Sequence, residues 1–324
     1  MVVHVALHLS KLFREKRGLS IFIIFVVLII VFYSINKLFL TPRSVADIAL
    51  VATQDGIIAL FVTLLLIAGE FDLSVGEVFV FSGMIFGYTI PLLGPYLAFV
   101  VALLCSGLIG FTNGIIVTRL RAPSFIATLG MAFFLEGLIF VVTGGFEVTV
   151  NLSKIPFWYT LSGDLPDGLN VWVIWFALFS ILTYFILEHT RFGNHVFATG
   201  GSQNSAYAVG VNTRRVKLVL FVATSVISGL VGIMSLLYYT AISPVEGQDL
   251  PLIVLAIAVI GGSSLFGGVG SIEGTVVSAL TIGAIYVGLV LAGVPSYYYY
   301  SFVGALLIAI AVANEKLLKR KIQI

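Results

Sequence analysis

The chain alternates between long apolar runs and short polar interruptions, a rhythm with no counterpart in soluble folds. Crossing a bilayer as a helix takes roughly 20 apolar residues. Ten stretches fit that demand: 19–40, 48–68, 77–93, 96–118, 125–143, 171–188, 216–239, 251–266, 272–292 and 298–313. One interruption is unlike the rest. It runs from Glu188 to Lys217, carries Arg191, Arg214, Arg215 and Lys217, and contains a candidate short helix from Gln203 to Val209 followed by Gly210. Apolar spans flank it, so it lies outside the bilayer, and its charge favours the cytosolic side. It is too long for a tight turn and offers a surface to something soluble.

Composition agrees with the pattern. Of the 324 residues, 60% are hydrophobic and only 10% charged, against about 25% charged in soluble domains. The net charge of +2 says little, but its distribution says more. With ten spans and a cytosolic N-terminus, 14 of the 17 basic residues fall in cytosolic segments, leaving Lys37, Arg43 and Lys154 outside. That asymmetry supports the topology, and an odd span count destroys it. Lys11, Arg14, Lys16 and Arg17 precede an apolar run with no small-residue cleavage site, so the first span is read as retained. The expected fold is therefore all-α, a single polytopic membrane domain over 1–324 of about ten transmembrane helices. Both termini are cytosolic, with an N-terminal tail at 1–18 and a cytosolic loop at about 189–217.

Two glycine-rich interruptions suggest an internal pseudo-repeat. Gly69 to Gly76 leads into a span with Gly83 and Gly87, and Gly261 to Gly274 leads into one with Gly283 and Gly288. Duplicated transporter halves often carry such breaks, and shared membrane composition produces them too. The longest outer loop, Gly144 to Asn170, holds Trp158 and Tyr159, suited to a membrane interface, as is the run Tyr297 to Tyr300.

Chemistry is sparse. Glu70 and Asp72 adjoin an apolar span, and a lone carboxylate in hydrocarbon costs about 2.5–3.5 kcal/mol. Either Asp72, with Ser74, caps the next helix, or the segment is a broken helix on a translocation route. Asp55, Glu136 and Glu273 are further acids with no intramembrane Lys or Arg beside them, and Glu136 has Thr128 and Thr143 as polar neighbours. Gly261 to Gly274 lacks the Lys-Ser or Lys-Thr ending of a phosphate loop, so it reads as a hinge or a cavity wall. His4, His8, His189 and His195 lie in the tail or the island, off metal spacing, and Cys105 reads as a small core residue. An enzyme is disfavoured.

Four segments together resemble the permease subunits of bacterial ABC importers for monosaccharides of the ribose, xylose, arabinose and galactoside type. These are GEFDLSVG from Gly69, APSFIATLGM from Ala122, ATGGSQNSAYAVGVNTRRVK from Ala198, and IGGSSLFGGVGSIEG from Ile260. The resemblance covers about Asp55 to Ala313. It implies that Asn204, Ser205, Ala206, Tyr207, Ala208, Val209 and Gly210 form a coupling helix seated in an ATPase subunit. It also implies a route for sugar, for which Glu70, Asp72, Ser74, Phe125, Thr128, Glu136, Ser263, Ser264 and Glu273 are the candidates. The implied partners are ABC ATPase subunits, an extracytoplasmic sugar-binding protein, a second permease subunit (a copy or a different chain) and membrane lipid, with no nucleic acid. The chain itself is expected to hold no cofactor or metal, ATP and Mg²⁺ being bound by the partner ATPase. Two positions depart from the family pattern. Glu70 replaces a glycine, and Tyr286-Val287-Gly288-Leu289 stands where Asn-Gly-Leu is usual, so that Val287 removes an amide from a polar site. The competing expectation is an ion-gradient-coupled carrier or channel using Asp55, Glu136 or Glu273. Such a carrier has no evident need for the island.

Overall fold

The computed structural model describes residues 17–295 and 297–308. The tail at 1–16, the basic cluster Lys316 to Lys321 and residues 309–313 of the tenth expected span lie outside the described residues.

Helix α1, Arg17–Ile35, is apolar over most of its length after Arg17 and ends at Asn36. That side chain accepts from the Leu38 amide at 2.9 Å and donates to the Leu291 carbonyl at 2.9 Å, so it caps a 3-10 turn, Lys37–Leu40, and pins it to a distant helix end. Thr41 then caps α2, Pro42–Ile67, whose first residue is a proline, which suits that position. From Gly56 onward α2 is buried on every side. A helix apolar all round belongs at the centre of a bundle. α2 is that centre, packed by α6 (Trp172–His189), by α9 (Thr213–Tyr239), by α10 (Leu250–Ile260) and by α11 (Ile272–Leu291), while α1 lies outside it against α11.

α3, Val75–Thr118, is two spans joined at Gly94, which has φ 74° and ψ 164° and is flanked by Pro91 and Pro95. Its two limbs run antiparallel and both pack on α9, through small residues. Gly229 of α9 lies against Ser82 of one limb and Ser106 of the other. Without water to drive association, close approach of small residues is what holds membrane helices together. α4, Ser124–Thr143, leans only on α3 among the longer helices and leaves Phe133, Phe134 and Val141 exposed. Six of the described helices (α2, α3, α4, α6, α9 and α11) are long and apolar enough to cross a membrane. Exposed apolar side chains over α4 and α6 suit hydrocarbon rather than water, and an all-α polytopic membrane protein follows.

Beyond α4, a two-residue antiparallel ladder of β1 (Val148–Thr149) and β2 (Ala241–Ile242) ties the 144–170 segment to the end of α9. A short helix α5, Trp158–Ser162, sits in that segment. The Ser162 hydroxyl donates to the Met234 carbonyl at 2.7 Å and accepts from the Trp172 indole at 3.0 Å.

One expected span needs correction. The run 251–266 is helical only as α10, which stops at Ile260 after 11 residues. At 1.5 Å per residue it is about 16 Å long, half a membrane. The last described helix is α12, Tyr298–Ile308. Its Tyr299 is buried against Tyr286 with ring centroids 5.4 Å apart, so that member of the tyrosine run faces inward.

Candidate functional site

The polar island folds as two short helices capped in series. Thr190 ends α6 and its hydroxyl accepts from the Gly193 amide at 3.2 Å, opening α7, Arg191–Gly201. Ser202 accepts from the Ser205 amide at 3.3 Å and opens α8, Gln203–Ala208. Gly210, at φ 88°, reverses the chain, and Asn212 accepts from the Arg215 amide at 3.0 Å to start α9. Hydroxyl and amide side chains at N-caps satisfy donors that a helix leaves free. The short helix expected from Gln203 is present, and α7 before it was not foreseen.

Within α8 only Ala206 turns inward, 3% exposed. Asn204, Ser205, Ala208 and Gly210 are exposed, and Tyr207 and Val209 are 75% and 79% exposed side by side. The knob thus presents an exposed apolar pair on an otherwise polar, capped surface.

Behind the knob, three glycine-rich segments close on one another. The Gly268 amide donates to the Ile67 carbonyl at 2.8 Å. A Cβ on Gly200, at the end of α7, would stand 1.8 Å from that same carbonyl and 2.6 Å from the Gly268 nitrogen. Only glycine lets the three backbones touch there. The 261–274 segment is thus a backbone clasp joining α7 to the end of α2, more specific than a hinge or a cavity wall. Ser264 serves the loop itself, its amide bonding Val269 and its hydroxyl accepting from the Phe266 amide at 3.2 Å. Ser263 is buried nearby, and Glu273 is exposed in the first turn of α11, where a carboxylate favours the helix dipole.

The clasp also holds a buried ion pair. Lys217 of α9 donates to Glu70 Oε1 at 2.5 Å and to Gln203 Oε1 of α8 at 3.0 Å. The two charged side chains are 10% and 9% exposed. Sequence reading had grouped Lys217 with the solvated cations of the island and had no partner for Glu70. Each charge offsets the other's desolvation here, and the knob is tied directly to the 69–76 segment.

From Glu70 the chain turns into the bundle. The Phe71 amide donates to the Ser124 hydroxyl at 3.2 Å and the Leu73 amide to the Thr128 hydroxyl at 3.0 Å, so α4 side chains replace the ladder an extended segment lacks. Asp72 does not cap α3. Its Oδ1 accepts from the Ser74 amide at 2.9 Å and from the Ser74 hydroxyl at 2.6 Å, while the Ser74 oxygen accepts from Asn113 Nδ2 at 2.9 Å. The Ser228 hydroxyl donates to the Val75 carbonyl where α3 begins. Ser228 lies 15 residues into α9, about 22 Å along a helix about 40 Å long. α3 therefore starts near mid-depth.

α10 starts there too. A Cβ on Gly76 would lie 2.0 Å from the Gly247 carbonyl, so the entries to α3 and α10 meet backbone to backbone. Beside this crossing Gln248 donates to Glu136 Oε1 at 2.9 Å. Glu136 thus bonds an amide from the loop before α10. Thr128 and Thr143 instead donate to carbonyls of their own helix. Gln248 and Asp249 are exposed at this depth and, with half-buried Glu136, form a polar strip on an otherwise apolar flank.

The sequence candidates therefore divide. Glu70, Ser263, Ser264 and Glu273 belong to the clasp, Asp72, Ser74, Thr128 and Glu136 to the mid-depth crossing, and Phe125 is exposed at the start of α4. Lys217, Gln203, Asn113 and Gln248 were missed. For Lys217 a signal existed, since Glu70 and Lys217 both stand at the island-side edge of a span with opposite charge.

Broken helices meeting inside a membrane bundle, with a mechanically tied knob at one end, define a membrane transport subunit. The family described as branched-chain amino acid transport system / permease component matches residues 44–311, and the chain belongs to that family. It is 29% identical over 295 residues to a ribose import permease protein of Escherichia coli K12, covering 90% of this chain and 91% of that one. An L-arabinose ABC transporter permease protein of Azospirillum brasilense is 31% identical over 279 residues, covering 86% and 81%. A D-allose transport system permease protein of E. coli K12 is 30% identical over 320 residues, covering 95% and 94%. No solved structure matches the chain.

Proposed function

We propose that this chain is the permease subunit of an ATP-binding-cassette importer that carries a monosaccharide into the cytosol. Its relatives by name transport ribose, arabinose and allose, and a pentose or hexose is the substrate class in keeping with them. The observation that carries the reading is the knob of α7 and α8, joined through Lys217 and the glycine clasp to the segment that enters the bundle at Glu70. A self-sufficient carrier has no use for such a handle, whereas a subunit moved by an external motor needs one.

In this reading the knob faces the cytosol, both termini lie on that side, and the protein resides in the inner membrane as about ten helical segments in one domain. Residues 204–210 dock into an ATPase subunit that binds ATP and Mg²⁺, and Tyr207 and Val209 supply the apolar contact. An extracytoplasmic binding protein delivers sugar to the opposite end. The polar strip of Glu136, Gln248 and Asp249 is too costly to face lipid and faces a second permease subunit, with the route between the two. ATPase closure pushes the knob, and the tie transmits that displacement to the mid-depth crossing as a rigid-body shift.

The test is uptake of radiolabelled ribose, arabinose and allose into vesicles holding this chain with its genetically adjacent ATPase and binding protein. ATP-dependent uptake that needs all components is expected. Uptake by the chain alone in response to a proton or sodium gradient would establish the carrier reading instead.

A further inference from the structure

A cavity of about 430 Å³ lies at the end of the bundle opposite the knob, between one face of α2 and the last turns of α11. Small-molecule pockets run from about 300 to 1,000 Å³, so it has the size for a sugar. From α2 come Ser44, Asp47, Val51, Gln54 and Asp55, spaced so that they share one helix face. Ser44 to Asp55 is about 16 Å along the helix, so the space descends from the bundle end toward mid-depth. Tyr239, Tyr286 and Tyr299 close the other walls, the last two in edge contact. Ile253 of α10 also lines it, placing it one helical turn from exposed Asp249 and the polar strip.

Asp55 is the anomaly. It sits inside a membrane-spanning helix and, among the described residues, no group hydrogen-bonds or ion-pairs with it. A carboxylate at that depth persists only if it meets water or a ligand. A resident cation is a poor fit. Asp47 is about 12 Å away along α2, and no cluster of three metal-ligating side chains exists among the described residues. A polyol fits better. Vicinal hydroxyls donate to a carboxylate, Gln54 offers both donor and acceptor, and the tyrosine rings match the C–H face of a sugar. Val287 lies in the same lining, so the amide missing from this chain's Tyr-Val-Gly-Leu run is missing from this cavity.

We propose that this cavity is a monosaccharide-binding station on the transport route, with Asp55 accepting hydrogen bonds from sugar hydroxyls. The proposal rests on the importer reading and adds a place where sugar pauses between binding protein and crossing.

The test is thiol protection in the assembled transporter. Val290, a lining residue that is 49% exposed, becomes the reporter as Val290→Cys in a Cys105→Ser background, labelled with a small methanethiosulfonate reagent. Whichever of D-ribose, L-arabinose and D-allose the wild-type complex takes up is expected to slow labelling severalfold. Asp55→Asn should raise the sugar concentration for half-protection roughly tenfold or more, the loss expected for a hydrogen bond to a charged acceptor. Labelling indifferent to sugar, or protection unchanged by Asp55→Asn, overturns the station while leaving measured ATP-driven uptake intact. Failure of the wild-type complex to carry any of these sugars overturns both readings.

Discussion

Replacing Lys217 with methionine removes the charge and keeps most of the volume. The carboxylate of Glu70, 9% exposed, is then left inside the protein without a counter-ion, and Gln203 loses its donor. Breaking a buried pair from one side costs about 3–5 kcal/mol, most of it the desolvation of the charge left behind. Removing both charges, as Glu70→Gln with Lys217→Met, is expected to recover most of that loss, because the pair on its own is near neutral. The signature is a coupling energy of a few kcal/mol in a double-mutant cycle, read from thermal unfolding of the detergent-solubilised complex. The transport assay is the second half. If the pair transmits motion, the rescued double variant regains stability but hydrolyses more ATP per sugar delivered than the wild type. Two results refute the reasoning. A Lys217→Met variant no less stable than the double variant shows that the pair is not desolvated as described. A double variant with wild-type ATP per sugar shows that it is structural ballast only.

Three further outcomes follow from the geometry. Ala206→Trp or Gly210→Arg should leave membrane insertion intact but abolish coupled ATP hydrolysis, since Ala206 is packed inward and Gly210 needs a positive φ; normal uptake in both would show that 204–210 is not the docking surface. Gly76→Ala should collapse the yield of folded protein, because its Cβ meets a backbone carbonyl at 2.0 Å, while Gly137→Ala, with open space around it, should express normally. Thr128→Val strips the acceptor from the Leu73 amide at 3.0 Å and should cost about 1–3 kcal/mol, seen as a lower unfolding temperature, with Thr128→Ser recovering most of it.

Hydropathy located the bundle because apolar runs report on solvent, and every described crossing helix overlaps an expected run, α3 covering two of them and α2 starting six residues early. It misjudged 251–266 for the same reason. Ile260, Leu265 and Phe266 keep the average high, although the helix begins only at mid-depth and Gly261 and Gly262 end it at the clasp, half a membrane away. α7 was invisible because Gly193, Thr199, Gly200 and Gly201 are poor helix formers; Gly193 and Gly200 stand where neighbouring backbones press close. Glu70 stood out as a departure from the family pattern. Its meaning depended on Lys217, 147 residues away, and no local pattern carries that. The re-entry at 69–76 was likewise hidden, its amides being satisfied by Ser124 and Thr128 across the bundle.

The contact between Gly76 and Gly247 sets a timetable for assembly. Chains emerge at roughly 5–20 residues per second, and about 170 residues separate the two glycines, so the first arrives about 9–34 s before its partner. Ser124 and Thr128 follow the 71–73 segment by 53 and 55 residues, about 3–11 s behind. α4 thus acts as a temporary splint, holding the half-entered segment until the loop before α10 is made. A chain truncated between Thr143 and Gly247 should therefore already shelter Phe71 and Leu73 but present the start of α3 as an open seam, the form a membrane quality-control protease would meet first.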